Sequence, residues 1–216
     1  MEELQFKSLL ACSDGSHCSI TNTVSHSWVF ASKVRRDFAK GAGPDNSLPT
    51  LMSSFCSELG GLLAIFYIIY RICQYYDVKD GKVTIYCDNK GALSKVFGTP
   101  QAGITPFLST DCDLIELSHQ FLQTLPVTYI YEWVKGHNDG KDKQYKHTLN
   151  HIADEVASGH RTHPPQGFTS KSRPLSHPGY KVHVHQGGLI ITSQYFKQHL
   201  MAYQENQLID YTLKKD

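Results

Sequence analysis

The chain has 216 residues, 40 % hydrophobic and 19 % charged, which suits one domain of ordinary size with an appendage and excludes a disordered or fibrous chain. Formal net charge is +1, so no overall basic field advertises nucleic acid. The charge is uneven all the same: residues 1–160 carry 14 Lys/Arg against 17 Asp/Glu, and residues 161–216 carry 7 against 3 with five further His, a weakly acidic body with a basic tail.

Taken in order, residues 4–13 read as an apolar strand that ends at Asp14. Residues 24–32, with Val24, Trp28, Val29 and Phe30, read as a second strand, and 34–42 as a third before the loop Gly43-Pro44-Asp45-Asn46. Pro49 and Ser53-Ser54 open a long helix whose body, Phe55 to Tyr75, is apolar nearly all round and so must be covered on most faces. Asp80-Gly81 turns the chain into a strand from Lys82 to Cys87, which also runs into a carboxylate, Asp88. A short helix over 89–97 follows, broken by Gly98 and Pro100, then a helix over about 109–124, a strand from Val127 to Trp133, a polar loop from Gly136 to Lys146 and a helix from Thr148 to Gly159. Three strands, a helix, and then alternating strands and helices indicate a mixed α/β sheet with helices on both faces.

After His160 the composition changes. Residues 161–179, rich in Pro, Ser, Lys and Arg, read as a linker, and 180–216 as a small extension with a hairpin around Gly187-Gly188 and one or two short helices. The six cysteines, Cys12, Cys18, Cys56, Cys73, Cys87 and Cys112, form no CxxC pair and several lie in apolar runs. They read as buried free thiols of a reducing, intracellular compartment, cytoplasm or nucleus left open. The opening Met1-Glu2-Glu3 does not resemble a signal peptide. The most apolar window, Leu59 to Cys73, is short for a membrane span and interrupted by Arg71, so a buried helix and no membrane partner are expected.

Four carboxylates stand in apolar surroundings. Asp14 and Asp88 end strands, Glu58 sits near the start of the apolar helix, and Asp154 lies four residues after Asn150 on one helix face. Strand-end carboxylates of one sheet face a common crevice. Without a cation, four of them would repel and raise one another's pKa. Oxygen ligands suit Mg²⁺ or Mn²⁺ rather than Zn²⁺. Blander roles exist for each: Asp14 as a turn residue, Glu58 in an ion pair, Asp88 beside a helix cap, Asp154 as a solvated residue with Glu155 as competitor.

Asp14-Gly15-Ser16, Ser57-Glu58-Leu59, Cys87-Asp88-Asn89, Trp133-Val134-Lys135-Gly136-His137 and Asn150-His151-Ile152-Ala153-Asp154 occur in an order and spacing that resemble the ribonuclease H family over about residues 4–160. Residues 180–211 resemble, more loosely, what trails that region in some retroelement polyproteins, which implies an upstream reverse transcriptase. The resemblance implies a ribonuclease H-like mixed five-stranded sheet over 1–160. It implies two Mg²⁺ ions, with Mn²⁺ able to substitute, and hydrolysis of the RNA strand of an RNA–DNA hybrid to leave 5′-phosphate and 3′-hydroxyl. Asp14, Glu58, Asp88 and Asp154 would be the metal ligands and His137 a mobile loop residue that moves protons or aids product release. Ser16, Ser54, Asn89, Lys90, Lys135 and Asn150 would meet the hybrid.

The sequence departs from the family where His17 to Val24 replaces a Gly-rich turn and Gly98 to Ser109 replaces a basic helix. Phosphate contacts are then expected from Lys90, Lys95, Lys135, Lys141, Lys143 and Lys146. A module of the same fold that binds nucleic acid without cutting is the alternative.

Overall fold

The computed structural model describes residues 9–21, 23–34, 38–44, 53–98, 111–136 and 144–163, with the pairs 185–186 and 189–190. Strands β1 (Leu9–Cys18), β2 (Thr23–Ser32) and β3 (Phe38–Pro44) precede helix α1 (Ser54–Tyr75). Then come β4 (Lys82–Cys87), α2 (Lys90–Phe97), α3 (Cys112–Thr124), β5 (Thr128–Trp133) and α4 (Tyr145–Thr162). The sheet order is β3-β2-β1-β4-β5. The first three strands form an antiparallel meander, while β4 joins β1, and β5 joins β4, in parallel. Parallel neighbours need crossovers, and the helices supply them.

Each face of the sheet carries a helical layer. On one, Ala11, Phe30, Val83 and Ile85 pack against Leu62, Ile65 and Phe66 of α1, Val96 of α2 and Phe121 of α3. On the other, Leu10, Cys12, Val29, Ala31 and Tyr86 meet Leu149 and Ala153 of α4. The expected α1 begins where the sequence placed it: the Ser53 hydroxyl accepts from the Cys56 N–H at 3.0 Å and caps the helix. By length and composition α1 could cross a membrane, yet 67 % of its apolar window is buried inside the fold.

Three boundaries differ from expectation. β1 does not end at Asp14; it continues to Cys18. Its parallel ladder with β4 stops at Ser13–Cys87, but its antiparallel ladder with β2 runs on through Asp14–Ser27 to Cys18–Thr23. The partner on one side outlasts the partner on the other. Asp14 therefore lies where β1 opens a notch beside the end of β4. The third strand falls at Phe38–Pro44 rather than 34–42. Pro44 is accommodated because β3 is an edge strand, where a missing N–H breaks no interior ladder. Helix α4 runs from Tyr145 to Thr162, past both ends of the expected 148–159. Near the C-terminus a two-residue ladder, His185–Gln186 with Leu189–Ile190, flanks Gly187-Gly188; the remainder of 164–216, with the expected linker and helices, lies outside the described residues.

Candidate metal centre

Asp14, Glu58, Asp88 and Asp154 come from β1, α1, the residue after β4, and α4. Asp14, in the notch, hydrogen-bonds with Glu58 and feels the charges of Asp88 and Asp154. Asp14 is 5 % exposed and so is Glu58. Burial pushes the Asp14 carboxyl up to about 8, helped by the charges of Asp88 and Asp154; hydrogen bonds from the Gly15 N–H and with Glu58 pull the other way. Burial likewise raises Glu58 well above the usual carboxylate range, with Asp14 and then Asp88 adding to it.

These causes give the cluster an internal order. Asp14 feels Asp88 and Asp154, whereas Glu58 feels Asp14 and Asp88. Asp14 is the common member. Glu58 and Asp88 also lie close to each other, as the distances among their donor atoms show. A carboxylate oxygen of Glu58, the Cys87 Sγ and a carboxylate oxygen of Asp88 lie within 4.8 Å of one another, and the Cys87 thiol donates to Glu58 Oε2 at 3.7 Å. Burial raises the Cys87 thiol well above its usual value, and Glu58 adds to that. A protonated thiol is a poor ligand for a hard cation, so oxygen remains the donor set.

Two glycines let the elements approach. A Cβ on Gly15 would strike the Ser57 Oγ and lie 2.7 Å from the Glu58 N, so β1 and the first turn of α1 close on each other only because position 15 lacks a side chain. A Cβ on Gly136 would strike Asp88 Oδ2. The chain leaving β5 thus passes directly against the Asp88 carboxylate. The Trp133 indole N–H donates to the Asp88 carbonyl at 2.8 Å, and the Val134 N–H to the Cys87 carbonyl at 3.1 Å. Both fix the end of β4 to the end of β5.

The residues expected to meet substrate divide. Ser54 is exposed at the start of α1 and Lys135 is exposed just past β5. Lys90 is exposed and sits 4.0 Å from the centroid of the Trp133 ring, a cation–π contact beside Asp88. Asn89 accepts from the Ala92 N–H at 3.0 Å through Oδ1 and so caps α2. Asn150 is 4 % exposed, with the Cys12 thiol donating to its Oδ1 at 3.7 Å. Ser16 is 8 % exposed; it accepts from Arg161 Nε at 2.8 Å. Lys146 pairs with Glu132 at 3.6 Å. His137, Lys141 and Lys143 lie outside the described residues.

Sequence reading missed what docks α4. Ser25 and Ser27, both fully buried, donate to the Ala157 carbonyl at 2.6 Å and the Ala153 carbonyl at 2.7 Å. Alternate β2 residues thus meet carbonyls one helical turn apart, which sets the height of Asp154 over β1. The signal was present: Ser25 and Ser27 repeat with period two in a strand whose other residues gave no reason for small hydroxyls. Gly136 could also have been singled out, since the Trp133 to His137 stretch was read as a motif and its glycine passed over.

No protein-family model and no curated protein matches the sequence. Among solved structures, the chain is similar to the N-terminal RNase H domain of rv2228c from Mycobacterium tuberculosis, solved as a fusion with maltose-binding protein. Identity is 13 %, TM-score 0.44, and the match covers 70 % of this chain and 94 % of that one. It is also similar to RNase H1 from the halophilic archaeon Halobacterium salinarum NRC-1, at 14 % identity and TM-score 0.44, covering 69 % and 97 %. By its own strand order, with an antiparallel meander extended in parallel by β4 and β5 and helices on both faces, the chain has the ribonuclease H-like α/β fold.

Proposed function

We propose that this protein is a metal-dependent endonuclease that hydrolyses the RNA strand of RNA–DNA hybrids. One observation carries the reading: buried Asp14 hydrogen-bonds with Glu58 and feels the charges of Asp88 and Asp154, and its burial, helped by those two charges, holds it up at about 8. A divalent cation would relieve the repulsion and burial cost of such an arrangement. The donor set fits hard divalent ions, Mg²⁺ or Mn²⁺. Asp14, the common member, would hold them together with Glu58, Asp88 and Asp154. Bound there, the ions would neutralise charge on the scissile phosphate and make water a nucleophile near neutral pH.

The chain's own residues supply the rest. Lys90 and Lys135 stand exposed near Asp88 and Gly136 and would meet backbone phosphates. Ser54 stands at the start of the helix that carries Glu58. His137, next in sequence after Gly136, would be the proton carrier that the resemblance implies. In-line attack by water would leave 5′-phosphate and 3′-hydroxyl. Hybrid preference would rest on backbone and 2′-hydroxyl contacts rather than base edges.

The test is incubation with Mg²⁺ or Mn²⁺ and end-labelled hybrid, double-stranded RNA and double-stranded DNA. The expected result is cleavage of the RNA in the hybrid alone, falling to background in Asp88→Asn. Absence of cutting at every metal concentration would overturn the enzyme reading in favour of a non-cutting nucleic-acid-binding module. The same reading extends to a retroelement context with an upstream reverse transcriptase. Sequencing the transcript that encodes the chain tests it: a reverse transcriptase frame joined ahead of Met1 is expected.

A further inference from the structure

A chain of hydroxyls leads to Asp154. The Ser158 hydroxyl donates to Asp154 Oδ1 at 3.4 Å. Ser158 Oγ lies 3.3 Å from Ser16 Oγ, and Arg161 Nε donates to Ser16 Oγ at 2.8 Å. Asp154, Ser158 and Arg161 stand at i, i+4 and i+7 of α4, one face of the helix. Ser16 reaches them from β1, two residues past Asp14.

The polarity of this chain is forced from both ends. A guanidinium can only donate, and an ionised carboxylate can only accept. Ser16 therefore accepts from Arg161 and spends its own proton on Ser158, whose proton goes to Asp154. Each hydroxyl is an acceptor on one side and a donor on the other, so the bonds polarise one another in one direction. Asp154 Oδ1 is thereby tied to Arg161 through two hydroxyls. A lone pair of Oδ1 is taken by Ser158, which favours the second oxygen for a cation.

We propose that Arg161, acting through Ser16 and Ser158, is a positioning residue that fixes which oxygen of Asp154 faces the cation beside Asp14. This rests on the metal reading of the cluster made above. It also gives Ser16, buried and bonded on two sides, a part in holding the site. Groups that orient metal ligands are worth roughly 10- to 100-fold in metal affinity or activity.

The experiment uses the full chain and two readouts: a Mn²⁺ binding isotherm, and kcat and KM on hybrid. Arg161→Met keeps the apolar stem and removes the donor. Ser158→Ala breaks the middle link, and Ser158→Thr restores a hydroxyl there. Arg161→Met and Ser158→Ala are each expected to weaken Mn²⁺ binding and lower kcat by about 10-fold or more, with KM moved about 2-fold or less. Ser158→Thr should recover most of the loss. The double variant should lose no more than the worse single, because the two residues act as one unit.

A helix anchor without a positioning role would behave otherwise. Arg161→Met would then lower the metal-free melting temperature and leave Mn²⁺ affinity and kcat per folded molecule as in wild type, and that result overturns the proposal. So do single losses that add in the double variant. Wild-type chain that binds Mn²⁺ yet cuts no hybrid removes the nuclease reading while the binding isotherms still decide this one; wild-type chain that binds no Mn²⁺ overturns both.

Discussion

The two faces of the sheet hold their carboxylates by different means. On the α1 face, Glu58 is carried by a helix whose Leu59, Leu62, Ile65, Phe66 and Ile69 are buried completely. Packing immobilises it. On the α4 face the apolar contact is smaller, and hydroxyls do the docking: Ser25 and Ser27 bond to α4 carbonyls, and Ser16 and Ser158 link Arg161 to Asp154. The packed face gives stability that is non-directional. The hydrogen-bonded face gives height and rotation that are directional but individually weak. Damage to the first should therefore read out in folding, and damage to the second in metal binding.

The largest effect is expected at the centre of the packed face. Leu62→Ala leaves a cavity under the sheet, at a cost of about 2–5 kcal/mol. Chemical denaturation should show that loss with the unfolding slope unchanged, while Mn²⁺ affinity per folded molecule stays near wild type. A large fall in affinity instead would mean that the α1 core positions Glu58 loosely, against the comparison.

Asp14 joins the two faces, and its titration tests the join. Its carboxyl sits near 8 in the folded chain and near its ordinary 3.8 in the unfolded one. Between those values the folded state keeps a proton that the unfolded state has released. Metal-free stability should therefore fall as pH rises from about 4 to about 8, by on the order of a few kcal/mol. Asp14→Asn should flatten that slope and melt higher than wild type at pH 8, at the expense of metal binding. Saturating Mg²⁺ should stabilise wild type most at the alkaline end. A metal-free Asp14→Asn chain that melts lower than wild type at pH 8 would show a paired structural aspartate.

Gly136 offers a local break at Asp88. Gly136→Ala places a methyl against Asp88 Oδ2, so the carboxylate must turn or β5 must retreat. Metal affinity should drop by roughly 10-fold or more with a shift in melting temperature of about 4 °C or less. Binding equal to wild type would mean that the loop after β5 gives way and Asp88 does not.

The sequence showed the strands, the long helix and all four carboxylates, because hydrophobic periodicity and a charge in an apolar run are local signals. It placed Asp14 at a strand end, which is half right. The β4 ladder ends there, but the β2 ladder does not, and ladder lengths on the two sides of a strand are a property of its neighbours. The period-two serines of β2 were visible, but their role was not, for a related reason. A buried serine is explained only by the acceptor it finds, and Ala153 and Ala157 lie more than a hundred residues away. The relay through Arg161 has the same character: none of its three donors is unusual until β1 and α4 are superposed.

The smallest effect separates the two faces most cleanly. Ser27 stands opposite Asp14 across β1 and β2, and its hydroxyl faces two carbonyls, that of Ala153 at 2.7 Å and that of Asp14 at 3.4 Å. One hydroxyl proton serves one acceptor well, and the shorter distance assigns it to Ala153. Ser27→Ala deletes that bond and leaves a space the size of one oxygen. Neither carbonyl depends on Ser27 alone, since one lies within a helix and the other within a sheet. The stability cost should stay near about 1 kcal/mol, or roughly 2–4 °C in melting temperature. Yet Ala153 immediately precedes Asp154, and the freed helix can slide or roll over β1. Mn²⁺ affinity should therefore fall further than the melting temperature implies, and Ser27→Thr, which keeps the hydroxyl, should restore it. If Ser27→Ala lowers melting and binding in the proportion that Leu62→Ala does, the two faces hold their carboxylates in the same way and the distinction between them fails.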